Sequence, residues 1–161
     1  MNSAHIIIIN DKNEVLIVRR SPNDEWEPNK FGLPGGGLEA GESLIQGIQR
    51  ETIEEVNLVL DPKRIIYLAD LSKKLNHCFF ATNYFIGEVK LKDGEHTEYG
   101  WVNPKDLDEN SCVPNLKREI ELACKAFNGL KIKINQWEAK MNEIKWEKYL
   151  DIIPYIGYII G

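Results

Sequence analysis

Apolar residues follow two patterns along the chain, one typical of strands and one typical of helices. The runs at 4–10 and 14–20 are rich in Ile and Val, and Asp11 and Asn13 between them favour a turn. These runs predict two strands, and similar apolar runs at 64–71, 77–91 and 99–102 predict further strands. The segment 31–37 predicts a short strand that leads into a glycine turn.

One long segment follows the helical period instead. Leu44, Ile48 and Thr52 recur at helical spacing, which predicts a helix over 43–56. Ser43 suits its amino-terminal end, and Asn57 suits the left-handed conformation in which many helices end. A second helix is predicted over 114–127.

The order of these elements predicts the fold class and the domain organisation. Strands, helix, strands and helix indicate an α+β protein, arranged as an α/β/α sandwich in which helices flank a mixed sheet. The residues Asn128-Gly129 predict a boundary between a domain at 1–128 and an extra C-terminal helical extension at 129–161. A stripe of Trp137, Met141 and Ile144 predicts that the extension docks on the domain or on a second subunit.

Composition and charge exclude several partners. The 161 residues carry a net charge of −5, which argues against binding a nucleic acid polymer. The apolar run at 152–160 is too short to span a membrane, and the first residues do not resemble a signal peptide. Cys78, Cys112 and Cys124 lack metal-ligand spacing and predict reduced thiols in a cytoplasmic protein.

Three carboxylates indicate the chemistry. Glu51, Glu54 and Glu55 share one face near the end of the predicted helix, where mutual repulsion and the helix dipole both disfavour them. A bound divalent cation such as Mg²⁺ would offset that charge. Arg50 is the only cation in the helix, and we expect Glu42 to hold it in place.

The segment that carries these residues resembles the Nudix box, G-x5-E-x7-R-E-U-x-E-E-x-G-U, where U is aliphatic. Every charged position of the box is filled. Thr52 replaces an aliphatic residue, and we expect its methyl to pack and its hydroxyl to bond the preceding turn. Asn57 replaces the terminal glycine. The matching positions are Gly36, Glu42, Arg50, Glu51, Glu54, Glu55 and Leu58.

The resemblance implies hydrolysis of a nucleoside diphosphate linked to another moiety, with Mg²⁺ or Mn²⁺ as cofactor. It implies that Glu51, Glu54 and Glu55, with the Gly36 carbonyl, are metal ligands and that Arg50 orients the glutamates. Glu51 acts as a base in some members, so its role stays open. Many members add a carboxylate from the loop before the last strand, for which Glu98 is the first candidate and Glu95 the second.

Other residues are candidates for binding a small-molecule nucleotide. Arg19 and Arg20 end the second strand, and the backbone of Gly35 and Gly36 permits close approach of a ligand. The remaining candidates are His77 and His96 for phosphate or base, and Trp26, Phe31 and Tyr84 for stacking; His5 lies in a predicted strand.

Substrate class follows only by elimination. Residues 71–78 lack the proline or tyrosine that marks ADP-ribose and dinucleoside-polyphosphate subclasses of the family, which favours a nucleoside or deoxynucleoside triphosphate. A nucleotide sugar, another nucleoside-diphosphate compound and a non-catalytic nucleotide sensor are the alternatives. A homodimer formed through the extension is a further expectation.

Overall fold

Strands from distant parts of the chain form the framework of the protein. The computed structural model describes residues 3–72, 77–92 and 94–143. Within these residues the strands are β1 (Ser3–Ile8), β2 (Val15–Arg20), β3 (Phe31–Gly32), β4 (Gly35–Gly37), β5 (Val59–Leu60), β6 (Ile66–Ser72), β7 (His77–Thr82), β8 (Phe85–Ile86) and β9 (His96–Val102). The helices are α1 (Leu44–Val56) and α2 (Leu116–Glu143), with 3₁₀ turns at Pro62–Arg64, Pro104–Asp106 and Glu109–Ser111.

The larger sheet is mixed, in the order β4-β1-β7-β6, with β1 parallel to β7 and antiparallel to β4. An antiparallel sheet has the order β3-β2-β9, and β5 pairs with β8. The predicted α+β architecture with a mixed sheet and helices is therefore confirmed. Its core joins both main sheets to α1 through fully buried Ile6, Leu16, Val18, Ile48 and Val56.

Helix α1 begins and ends where the sequence predicts. The Ser43 hydroxyl accepts the Gln46 N–H, and the Gln46 side chain accepts the Ser43 N–H. Asn57 closes the helix in the left-handed region, with φ 61° and ψ 29°. Thr52 is fully buried, but its hydroxyl has no hydrogen-bond partner, so the predicted bond to the preceding turn is wrong.

Two local predictions are wrong. The glycine triplet forms β4 rather than a turn, because residues without Cβ atoms can lie directly against β1. The long strand predicted over 77–91 is interrupted after Thr82, whose hydroxyl accepts the Tyr84 N–H, and after Gly87, whose φ is +113°. The segment beyond caps α1, since the Lys90 and Lys92 N–H groups donate to carbonyls of its last turn.

The chain divides into two compact units, Met1–Lys125 and Ala126–Gly161. Helix α2 continues through Asn128-Gly129 to Glu143, so the predicted helix end at 127 and the separate extra helix are wrong for the described residues. Asn and Gly cost a helix interior only about 1 kcal/mol each, which good helix formers on both sides offset. The side chains of Trp137 and Met141, and residue Ile144, lie outside the described part of the chain.

Candidate active site

Arg50 is the centre of the acidic face of α1. Its Nε lies 2.9 Å from Glu42 Oε1, and its Nη1 lies 2.8 Å from Glu51 Oε1 and 3.5 Å from Glu54 Oε2. Its Nη2 donates to the Gly37 carbonyl at 3.0 Å and to Glu42 at 3.1 Å. The expected Glu42–Arg50 pair is therefore present, and its hydrogen bond lowers the pKa of Glu42.

Glu55 faces away from Arg50, toward β4 and β9. One carboxylate oxygen accepts the Gly35 N–H at 2.8 Å, and the other lies 3.2 Å from His96 Nε2. That second contact has ion-pair distance but not hydrogen-bond geometry. Glu55 and His96 are both largely buried, so the helix, a glycine strand and the last strand meet at this carboxylate.

The glycines permit this close packing. A Cβ on Gly36 would lie 2.8 Å from Glu51 Oε1, and a Cβ on Gly35 would lie 2.2 Å from the Ala4 carbonyl oxygen. Gly35 also has a φ of +130°, which residues with side chains rarely adopt. Strand β4 therefore brings bare backbone against the carboxylates of α1.

Some predicted residues lie elsewhere. Glu98 is in β9 rather than in a loop, and its carboxylate lies 2.7 Å from Arg19 Nε. Arg19 also donates to the Asn29 carbonyl and lies over the Phe31 ring. Glu95 pairs with Lys92. The structure therefore does not bring Glu95 or Glu98 into contact with the acidic face among the described residues.

A cavity of about 300 Å³ adjoins the acidic face. All three histidines of the chain line it, together with Arg20 and Trp26. Tyr84, another predicted stacking residue, lies under Arg64 instead. Ser3 bonds His77, and burial, His77 and Arg20 lower the pKa of His5 to about 4. The lining is His5, Val18, Arg20, Trp26, Gly32, Leu33, Gly35, Glu55, His77, Phe79, His96, Val113, Pro114, Asn115, Arg118 and Glu119.

Sequence reasoning missed four polar or aromatic residues of this cavity: Phe79, Asn115, Arg118 and Glu119. Glu119 carried a signal, since it lies at helical spacing within the buried stripe that includes Leu116, Ile120 and Ala123. A carboxylate on the apolar face of a helix is rare unless it is paired. The residue is 7% exposed, and burial raises the pKa of its carboxyl from 4.5 to about 7.

We expect Glu119→Gln to stabilise the ligand-free protein at pH 8 by about 2–3 kcal/mol, because ionising the buried carboxyl is unfavourable. The free-energy cost of ionising Glu119 in the folded protein is absent below the unfolded-state pKa and complete above the folded-state pKa of about 7. The difference between variant and wild type should therefore grow as pH rises from 4.5 to 8. Urea unfolding across that range measures it.

Glu121→Gln is the matched control, since Glu121 is exposed on the same helix. The control should unfold like the wild type at every pH. A Glu119→Gln variant that is equally or less stable than the wild type at pH 8 would contradict the burial argument.

The donor set suits a hard divalent cation. Burial and the neighbouring Glu55 and Glu54 raise the pKa of Glu51, while Arg50 opposes the rise. The crowding of negative charge is therefore only partly offset by Arg50. No three acidic, imidazole or thiol side chains converge as a ready ligand group among the described residues. Arg50 contacts Glu51 and Glu54, so metal binding requires those side chains to rotate.

Comparison with known proteins assigns the family. The NUDIX domain model matches residues 1–122. The chain belongs to the Nudix family. As a Nudix hydrolase it acts on phosphorus-containing anhydrides, and Nudix hydrolases generally use divalent metal ions.

Similar proteins agree with the Nudix assignment. The 8-oxo-dGTP diphosphatase of Escherichia coli (strain K12) is 44% identical over 113 residues, covering 67% of this chain and 84% of the relative. A Bacillus subtilis (strain 168) relative is 32% identical over 120 residues, which cover 73% of this chain and 75% of the relative. The crystal structure of the MutT protein from Methanosarcina mazei Go1 matches this structure with a TM-score of 0.62 and 29% sequence identity. The match covers 78% of this chain and 94% of the MutT chain.

Other curated relatives of this Nudix protein are longer, and the chain spans 37% of one and 49% of another. The described residues include no helix with the length and apolar content to cross a membrane.

Proposed function

We propose that the protein is a Mg²⁺-dependent pyrophosphohydrolase that converts a nucleoside or deoxynucleoside triphosphate to its monophosphate and pyrophosphate. The observation that carries this proposal is one continuous cavity whose lining includes both Glu55 of the acidic face and the rings of Trp26 and Phe79. The Glu55 carboxylate suits a cation that carries phosphates, and the aromatic residues suit a planar base.

In this proposal Glu51, Glu54 and Glu55 hold the cation, with the Gly36 carbonyl as a further ligand and Mn²⁺ as the alternative metal. A bound divalent cation neutralises phosphate oxygens and lowers the pKa of an attacking water. Arg50 positions Glu51 and Glu54, since its guanidinium contacts both. Glu51 as the general base remains an alternative.

Arg20 is the better-supported substrate residue of the two adjacent arginines. It lines the cavity with Gly35, whereas Arg19 pairs with Glu98 and is absent from the lining. A catalytic role for Glu98 stays a prediction, and it requires the Arg19 pair to open.

The test is Mg²⁺-dependent hydrolysis of a panel of nucleoside triphosphates, oxidised triphosphates, nucleotide sugars, ADP-ribose and dinucleoside polyphosphates. We expect turnover of a triphosphate with release of pyrophosphate. Glu54→Gln should reduce kcat by about 100-fold or more, because it removes a proposed metal ligand. It should also weaken Mn²⁺ binding followed by electron paramagnetic resonance.

Glu121→Gln is the matched control, since Glu121 is an exposed glutamate on α2 that does not line the cavity. Full activity of Glu54→Gln with unchanged Mn²⁺ affinity would overturn the ligand assignment. Nucleotide binding without turnover of any panel member would favour the non-catalytic sensor.

The remaining parts of the proposal concern assembly and location. We infer a catalytic domain at 1–128 and an extension at 129–161 that docks on this domain or on a second subunit of a homodimer, and sedimentation of the full chain distinguishes the two. We also infer a cytoplasmic location, because Cys112 and Cys124 form no disulfide, as is usual for proteins of that compartment.

A further inference from the structure

Glu119 is a largely buried residue whose carboxyl has no protein partner among the residues that the structure describes. It lines the cavity from the first turn of α2, is 7% exposed and has no side-chain hydrogen bond or ion pair among the described residues. Burial alone raises its pKa to about 7. Carboxyls are rarely buried without a partner, because desolvating them is costly. A ligand that donates to Glu119 would remove that cost.

The neighbouring groups of the cavity do not fill this role. Arg118 is adjacent in sequence and also lines the cavity, but it forms no ion pair with Glu119 within the described part of the chain. Arg20 is engaged by the Trp26 carbonyl and by Asp24. His5 is neutral at pH 7, since its pKa is lowered to about 4. The carboxyl therefore remains available to a ligand in the cavity.

The chemistry of the group limits the ligand. An ionised carboxylate is an acceptor only, and its two oxygens pair best with two adjacent N–H donors, as they do with a guanidinium. Guanine presents such a pair, N1–H and the N2 amino group, on one edge. Adenine and cytosine present a donor beside an acceptor, and hypoxanthine lacks the amino group.

We propose that Glu119 is a specificity-determining residue that selects a ring with two adjacent N–H donors, which among the nucleobases is guanine. The inference rests on the proposed function for the presence of a nucleotide in the cavity. It goes beyond that function, because it names the base and the side chain that reads it.

The test measures binding of GMP and IMP to the full chain by calorimetry at pH 8, without metal, so that it does not depend on turnover. The two ligands differ only in the N2 amino group. We expect GMP to bind about 10-fold more tightly than IMP, the amount associated with one hydrogen bond to a charged group. Glu119→Gln should abolish the difference, because its amide nitrogen faces a donor.

Two further variants keep the result interpretable. Glu119→Asp retains the carboxylate and should keep a preference for GMP, and Glu121→Gln should behave as the wild type. Equal binding of GMP and IMP by the wild type, or an unchanged preference in Glu119→Gln, would overturn the inference. A guanine preference found without hydrolysis of any triphosphate would refute the proposed function and leave the base assignment standing.

Discussion

Gly35→Ala should destabilise the protein by about 4 kcal/mol or more, because backbone strain and steric overlap act together. The added Cβ would lie 2.2 Å from the Ala4 carbonyl oxygen and 2.7 Å from the His5 Cα. Both contacts are with the backbone of β1, the strand that pairs with β4 and β7. The overlap therefore cannot be relieved by rotating a side chain, and the sheet must shift.

Gly41→Ala separates the two contributions. Gly41 also has a positive φ, +81°, but nothing lies within 4 Å of the position of its Cβ. The free energy of unfolding of Gly41→Ala should fall by only about 1 kcal/mol, which is the cost of placing alanine in the left-handed conformation. Urea unfolding of both variants measures the difference. If Gly35→Ala were no less stable than Gly41→Ala, the close approach of β4 to β1 would be contradicted.

The same position shows what a sequence can predict. The three glycines indicate close backbone approach, but a turn and a strand make that approach equally well, and the pairing partner 32 residues away decides between them. Helix α1 was predictable to its ends because Ser43 and Asn57 act locally. The Glu42–Arg50 pair was predictable because both residues lie in or beside one helix.

The cavity was less predictable because its residues come from several elements. His5, His77, His96 and Glu119 lie on β1, β7, β9 and α2, and only the parallel pairing of β1 with β7 and the packing of the sheets bring them together. Glu98 shows the same limit. Its expected place in a loop depended on where β9 begins, and the pairing of β9 with β2 extends that strand to His96.

Arg50→Met should lower the free energy of unfolding by about 3 kcal/mol in the absence of metal, because it leaves partly buried carboxylates without their partner. Arg50 contacts Glu42 and Glu51, whose side chains are only 12% and 15% exposed. Because the long apolar side chain of Met retains most of the packing, the fall in the free energy of unfolding measures the effect of removing the guanidinium charge. Activity should fall as well, since Glu51 and Glu54 lose the group that positions them.

The response to Mg²⁺ distinguishes a loss of charge compensation in Arg50→Met from a simple loss of packing. With Arg50 absent, the carboxylates repel one another, so a divalent cation should stabilise Arg50→Met more than it stabilises the wild type. Lys117→Met is the control, because Lys117 forms an exposed pair with Glu109, and this change should leave stability nearly unaltered with or without Mg²⁺. Urea unfolding with and without Mg²⁺ measures all three proteins. An equal response of Arg50→Met and wild type to Mg²⁺ would mean that the guanidinium does not compensate the charge that the proposed cation neutralises.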